Sequence, residues 1–388
     1  VSLTEVVRFG ALVKGQRVLG LTLSLVGLVL LVSSCAKPAS PVLNAGTVSE
    51  AVIRQLGFDP TTVQPKHEGK IGVPGLPAGF TYREVVPSGK YAGPDVMALD
   101  PSEKFLYFVA KDEGSVYRVD LANGQVIRLV SGLHRPGGIA YYQPGQVLLV
   151  SEEGTGDGPE ERKLGFWYAV RPDVADQPKP LPLRAMGQYR GEGFWPAGAD
   201  TIYLCDDHPD GGHVYKYVPD APPDLTKGTL YVFKENQGWI KTAYLEAPDT
   251  GKEGTKFYGA EGIEIGPDGR LYVTLSATAE NRVIAIDLAT FKVTNFVTAA
   301  TKGFDKPDQL RFGPTGVLFM GEKAAEGDVW AALPDGPDAD TLSDGVYRLL
   351  TGMPLIESIV FTKDGSTVYV PQKGQVNSIL AISGFKYR

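Results

Sequence analysis

Carboxylates occupy most of the positions in this sequence that could do chemistry. The run Tyr203–Asp220 (YLCDDHPDGGHVYKYVPD) ends an apolar strand in Asp206-Asp207, continues through His208 and a glycine loop, and resumes as an alternating strand at His213. Adjacent acids beside a histidine suit a metal site or an acid/base pair, because carboxylate oxygens ligate hard cations and imidazole titrates near neutrality. A solvated hairpin loop has the same composition. Elsewhere Asp95, Glu192, Glu261, Asp308 and Glu357 each stand just ahead of an apolar strand-like segment, and Ser151-Glu152-Glu153 closes another. Glu261 and His208 are the candidates for a catalytic role. The chain contains no Gly-x-Ser-x-Gly elbow, Walker A loop or His-Glu-x-x-His helix.

The elements that would position these acids repeat. From Ala78 onward one unit recurs: a short apolar segment, a turn, an alternating strand, a polar loop and a second strand. Ile263-Glu-Ile-Gly-Pro-Asp-Gly-Arg-Leu-Tyr-Val leads to Arg282-Val-Ile-Ala-Ile-Asp, and Leu310-Arg-Phe-Gly-Pro-Thr-Gly-Val-Leu-Phe-Met leads to Asp328-Val-Trp-Ala-Ala-Leu. Related units begin at Val96, Ile139, Phe194 and Ile359. Alternation at period two marks strands, and the Pro-Asp-Gly turns supply positive φ at glycine. A period of about 50 residues suits a four-stranded propeller blade. The predicted fold is all-β, a six-bladed β-propeller over residues 78–388. Phe80–Val86 would close the ring against the last blade and hide the sheet edges, and a monomer is expected.

In such a ring the residue before each innermost strand faces the axis. That column reads Asp95, Glu192, Glu261, Asp308 and Glu357, with Gly137-Gly138 in the second blade. A second column, where the next strand ends, holds Lys111-Asp112, Glu152-Glu153, Asp206-Asp207, Ser276, Glu322-Lys323 and Gln372-Lys373. Two unit charges ~8 Å apart at an effective dielectric of ~20 repel by about 2 kcal/mol, so convergent acids need protons, basic neighbours or cations. Lys111, Arg135, Lys323 and Lys373 could serve as neighbours. The excess of oxygen donors and scarcity of histidine favour a hard cation such as Ca²⁺.

Composition agrees. The 388 residues carry 38 basic against 45 acidic side chains, net −7, which argues against nucleic-acid binding. The 47 glycines and 29 prolines favour turns over long helices. At the N-terminus Arg8, Lys14 and Arg17 precede the apolar run Val18–Val32, which ends in Val-Ser-Ser-Cys35. This reads as a lipoprotein export signal over residues 1–34, with Cys35 lipidated and residues 35–77 a tether. A lipid-anchored protein of the cell envelope is expected, with Ala36 after the cysteine favouring the outer membrane. Glu50–Gly57 would form a short helix. Cys205 would then be a lone thiol. Gly154-Thr-Gly-Asp-Gly reads as a plain loop, and Asp335–Asp344 as an exposed acidic loop able to hold a peripheral Ca²⁺.

Several segments in order resemble the PhoX-type alkaline phosphatases. They are Tyr203-Leu-Cys-Asp-Asp with Val214-Tyr-Lys-Tyr-Val and Gly228-Thr-Leu-Tyr-Val, then Pro136–Glu153, Ala260-Glu-Gly-Ile, Pro307-Asp-Gln-Leu, and Glu357 through Gln372-Lys-Gly. The resemblance implies a phosphomonoesterase with calcium and iron in the channel. Its implied ligands are Glu152, Glu153, Asp207, Glu261, Asp308 and Glu357, with Asp206 adjoining. Three departures stand out: the family's iron-bridging cysteine is Ser151, its phosphate-clamping arginine is Gly259, and its glutamate after Asp-Asp is His208. Iron is therefore doubtful, unless Cys205 serves in its place, and Ca²⁺ is the expected cofactor. The functional readings are a metal-dependent phosphoesterase acting on a small phosphate ester, a Ca²⁺-dependent lactonase-like hydrolase with Glu261 on the axial ion, and a non-catalytic binding propeller.

Overall fold

The computed structural model describes residues 48–63, 70–154, 165–208, 211–242 and 253–387. The chain divides into Val1–Lys37 and Pro38–Arg388, the latter containing the repeats. The export signal, Cys35, the start of the tether and most of the Gly154 loop lie outside the described residues.

The repeats fold into six antiparallel sheets arranged as propeller blades. Blade 1 comprises Pro94–Leu99, Phe105–Ala110, Ser115–Asp120 and Val126–Val130. Blade 2 has three described strands, Pro136–Tyr142, Val147–Glu152 and Trp167–Val170. Blade 3 has five: Gly191–Pro196, Ile202–Asp206, Val214–Ala221, Asp224–Lys234 and Gly238–Lys241. Blade 4 runs Ala260–Ile265, Leu271–Leu275, Arg282–Ile286 and Val293–Val297; blade 5 runs Pro307–Phe312, Leu318–Glu322, Gly327–Ala332 and Val346–Met353. Blade 6 joins Val360–Phe361, Thr367–Gln372 and Ser378–Ser383 to Thr81–Val86 from the start of the domain. That closing strand pairs Thr81 with Ser383 and Arg83 with Ala381, as the sequence predicts.

Strand alternation gives each blade two apolar faces, and these meet in the seams. Six apolar clusters result, one per seam among the described residues. Tyr203, Cys205 and Val214 of blade 3, for example, pack on Ile263, Val273 and Leu275 of blade 4. The predicted short helix forms as Glu50–Leu56, capped by the Ser49 side chain and by left-handed Gly57. Leu56, Phe58 and Val63 add to the seam between blades 5 and 6, so this part of the predicted tether is packed against the ring.

Glycine sets how closely the inner strands approach. A Cβ at Gly138 would overlap the Glu192 carbonyl oxygen, one at Gly193 the Glu261 carbonyl oxygen, and one at Gly262 would lie 2.9 Å from that of Asp308. Each of these glycines therefore packs against the backbone of the axial acid in the next blade. This brings neighbouring carboxylates closer than side-chain packing would allow.

At the ends of the inner strands farthest from these acids, Tyr141, Trp195, Arg311 and Phe361 line a cavity of about 330 Å³. Arg311 lies over Trp195 and 3.5 Å from buried Glu264. Burial pushes the Glu264 carboxyl up to about 7 against the pull of Arg311. A carboxyl raised in the folded state is fully stabilising only below its unfolded value near 4.5, and that stability is lost as pH rises toward 7. Glu264→Gln should flatten this decline by on the order of 3 kcal/mol. The check compares denaturant midpoints of wild type and variant at the two ends of that window.

Candidate metal centre

The axial acids owe their aim to a repeated irregularity. Asp95, Glu192, Glu261 and Asp308 are each the second residue of an inner strand. In every case the register with the neighbouring strand slips across that residue, between Pro94 and Met97, Gly191 and Phe194, Ala260 and Ile263, and Pro307 and Leu310. Such a bulge re-aims a side chain that regular pleating would send into a seam. In blade 2 the same slip falls between Pro136 and Gly138. A Cβ on Gly137 there would lie 2.9 Å from Glu153 Cγ and would overlap the Glu192 carboxylate. The blade that lacks an axial acid thus makes room for two others.

The acids converge on a shared set of cations. Lys111 Nζ lies 3.0 Å from Asp95, 3.7 Å from Glu192 and 3.9 Å from Glu357, and pairs with Glu153. Lys323 Nζ stands 3.7 Å from Glu261, 3.4 Å from Asp308 and 3.7 Å from Glu357. Lys373 reaches Asp95 at 3.0 Å and Glu357 at 2.5 Å. Arg190 lies 3.3 Å from Asp207 and 3.7 Å from Glu153, which Arg135 also meets at 3.4 Å. Seven carboxylates share five cationic side chains, leaving two formal negative charges.

That deficit is localised. Glu192, Glu261 and Asp308, one from each of blades 3, 4 and 5 and all buried, offer ligand oxygens within 4.8 Å of one another. Both oxygens of Glu192, both of Asp308 and Oε2 of Glu261 are buried without a hydrogen-bond partner. Unsatisfied buried carboxylate oxygens are costly unless another group meets them. Oxygens ~2.4 Å from a shared Ca²⁺ lie at most about 4.8 Å apart, so the donor type and spacing fit a hard divalent cation. With protein groups alone, burial and the Glu153 charge, against the pull of Lys111, leave Glu192 well above the usual carboxylate range. Burial and the Glu261 charge do the same to Asp308. Asp95 and Glu153 are held low, as the lysine ammonium groups outweigh their burial.

Of the ligand candidates, Glu153, Asp207, Glu261, Asp308 and Glu357 belong to this network, as do Asp95 and Glu192 of the axial column read from the sequence. Glu152 points elsewhere. Its carboxylate accepts from Tyr168 at 2.9 Å, Lys179 at 2.6 Å and the His134 amide at 2.7 Å. Asp206 meets none of the axial lysines among the described residues. Its carboxyl is pushed up to about 7 by burial, against a backbone hydrogen bond from Arg190. Strand alternation explains both: of two adjacent acids, only one can face the axis. His208 is half-buried on the loop after Asp207, and His213 Nδ1 lies 2.9 Å from the Thr255 carbonyl. Cys205 is buried in the seam between blades 3 and 4, where burial pushes its thiol up. Asp335, Asp338 and Asp344 cluster on a loop of blade 5.

Gly259 acquires a reason. It is left-handed at φ 65°, and a Cβ there would lie 2.6 Å from Ser276 Oγ and 2.7 Å from the Ala277 amide. No side chain fits where the resemblance places a phosphate clamp. The space goes to Ser276, whose hydroxyl donates to Glu261 Oε1 at 2.6 Å. Partners that orient a ligand typically contribute ~10–100-fold to metal affinity. Ser276→Ala should weaken calcium binding by about that factor, read by calorimetric titration.

No family model matches the chain, and no curated protein matches it. Solved structures do. A gluconolactonase from Xanthomonas campestris aligns at 14% identity and TM-score 0.56, covering 83% of this chain and 98% of that one. A second protein described as a gluconolactonase aligns at 14% identity and TM-score 0.51, over 79% and 93%. A protein from Thermus thermophilus described as a glucose dehydrogenase aligns at 13% and TM-score 0.51, over 78% and 100%. At these identities the likeness is one of fold, and it does not single out the PhoX family.

Proposed function

We propose that the axial carboxylates hold one divalent cation, calcium by donor type, and that this centre hydrolyses a small lactone or similar cyclic ester. The observation carrying this reading is the triad Glu192, Glu261 and Asp308, with five buried oxygens that accept no hydrogen bond. Glu261 is then a ligand and not the acid/base. The lactone class draws support from the two gluconolactonase-described propellers that share the fold. It draws support also from Gly259, which leaves no room for the arginine a phosphate ester would meet.

Bound there, the cation would supply Lewis-acid polarisation of the ester carbonyl. The protein supplies the rest. Asp207 stands beside the network, paired with Arg190. Burial and the Glu261 charge keep its carboxyl well above the usual range against Lys323 and Arg190. In its ionised form such a carboxyl is the stronger base for its raised position, able to take a proton from an attacking water and, once protonated, to return it to the departing ring oxygen. Lys323, partly exposed, can pair with a substrate oxygen that gains negative charge. Asp207→Asn should retain calcium and lower kcat by ~10²–10⁴-fold, measured by steady-state hydrolysis alongside a calcium titration.

Metal analysis of protein purified without chelator should find one divalent ion per chain. Glucono-1,5-lactone should then be hydrolysed, and EDTA should abolish the turnover. No ion at saturating calcium, or turnover indifferent to EDTA, would overturn the reading. Turnover of p-nitrophenyl phosphate in place of the lactone would restore the phosphoesterase alternative. An ion without turnover of either would indicate a binding propeller.

A further inference from the structure

Of the three lysines in the axial network, two differ sharply in kind. Lys323 is 30% exposed at its side chain and stands 3.4–3.7 Å from its acids, at the outer limit of hydrogen-bonding distance. Lys111 is 1% exposed and sits among four carboxylates, from Asp95, Glu153, Glu192 and Glu357, none more than 5% exposed. It is anchored by its own backbone, whose amide donates to the Gly93 carbonyl at 2.8 Å. The tight turn Lys111–Glu113 that follows ends in left-handed Gly114, where a Cβ would collide with the Leu133 carbonyl.

This surround exceeds what an ammonium can use. A lysine offers three donors, whereas four carboxylates present eight oxygens; Lys373 shares one each of Asp95 and Glu357, Lys323 the other of Glu357, and Arg135 and Arg190 one of Glu153. Asp95 Oδ1 and both Glu192 oxygens are left buried without a hydrogen-bond partner. An enclosed cation facing more carboxylate oxygens than it has donors is the surround of a metal ion, which takes 6–8 oxygens when it is calcium. We propose that Lys111 occupies, as a tethered monovalent cation, the position of a second divalent ion, and so holds the centre at one metal. Glu192 borders both positions, since it belongs to the unsatisfied triad and to the acids around Lys111.

The consequence concerns the reaction class. In-line displacement at phosphorus commonly uses two metal ions about 3.5–4 Å apart, whereas polarising a carbonyl needs one. A centre whose second position holds an amine suits the carbonyl ester of the proposed function. The inference rests on that reading only in needing the first metal.

The test is calcium stoichiometry of the full chain after gel filtration in calcium. In an Asp338→Asn background, which removes the peripheral Asp335–Asp344 cluster from the count, the otherwise wild-type chain should carry one ion, Lys111→Met two, and Lys111→Arg one. Wild type with no ion would refute the metal centre itself. Wild type with one and Lys111→Met also with one would refute the role of Lys111 alone. Loss of the lysine leaves three uncompensated negative charges where wild type has two, so Lys111→Met could fail to fold in EDTA. Near-UV circular dichroism then decides: recovery on adding calcium supports the proposal, and a variant that stays unfolded in saturating calcium overturns it.

Discussion

Asp308→Asn is expected to abolish calcium binding and lactone hydrolysis while making the metal-free protein more stable. The two effects have opposite signs, which is what separates a ligand from a structural acid. Without an ion, Asp308 is fully buried, both its oxygens lack hydrogen-bond partners, and burial and Glu261 oppose its charge. An amide of the same shape removes that repulsion while losing the 3.4 Å pairing with Lys323, for a net gain of at most about 2 kcal/mol at an effective dielectric of ~20. With calcium present, wild type should gain ~2.7 kcal/mol at 100 times Kd, and the variant should gain little. Loss of a charged ligand should exceed the ~10–100-fold that an orienting partner contributes. If the ion supplies about 4 kcal/mol of transition-state stabilisation, turnover falls ~10³-fold. Thermal melts with calcium and with EDTA, beside initial rates, measure all three quantities. A variant less stable than wild type in EDTA would mark Asp308 as a structural group.

Gly193→Ala is expected to be among the most damaging single methyls in the ring. The added Cβ would overlap the Glu261 carbonyl oxygen and lie 3.0 Å from Gly262 Cα. Both are backbone atoms of the neighbouring inner strand, so relief requires the blades to part. Overpacking typically costs ~1–3 kcal/mol where side chains can move. Here they cannot, and a loss of about 4 kcal/mol or more is expected, a size reserved for a few severe mechanisms. Gly269→Ala is the control. Gly269 is left-handed with nothing within 4 Å of a Cβ, so its cost is the ~1–2 kcal/mol of backbone strain alone. Denaturant midpoints of the two variants compare them directly. Equal losses would show that the close approach of the strands is not what Gly193 provides. Because the collision falls on the backbone of Glu261, a folded Gly193→Ala protein should also bind calcium more weakly.

Much of this was legible from the chain alone. Alternation at period two, Pro-Asp-Gly turns and a long repeat dictate strands, hairpins and radial repetition, because each is a local property of the backbone and of burial. The closing strand at Thr81–Val86 was legible too, since a ring has one unpaired edge and the sequence one unassigned strand. The acidic column was visible because equivalent residues in a repeat occupy equivalent places.

Local pattern could not decide which acid of a pair turns inward. Glu152-Glu153 and Asp206-Asp207 look alike in sequence, yet Glu153 and Asp207 join the network while Glu152 turns to Tyr168 and Lys179. The family resemblance put Glu152 among the ligands, and strand parity takes it away. Nor did sequence reveal the bulges that aim Asp95, Glu192, Glu261 and Asp308, or the glycines that let one blade's backbone meet the next. Both depend on what lies across a strand pair or a seam, far from the residue in chain order.

The sequence by itself determined a ring of blades and an excess of carboxylates on its axis, because repetition and charge are written residue by residue. Only the tertiary structure decided how that charge is met. It placed Lys111 inside four carboxylates and left five oxygens of Glu192, Glu261 and Asp308 without a hydrogen bond, because a side chain's partners are fixed by distance in space, which a linear order does not contain.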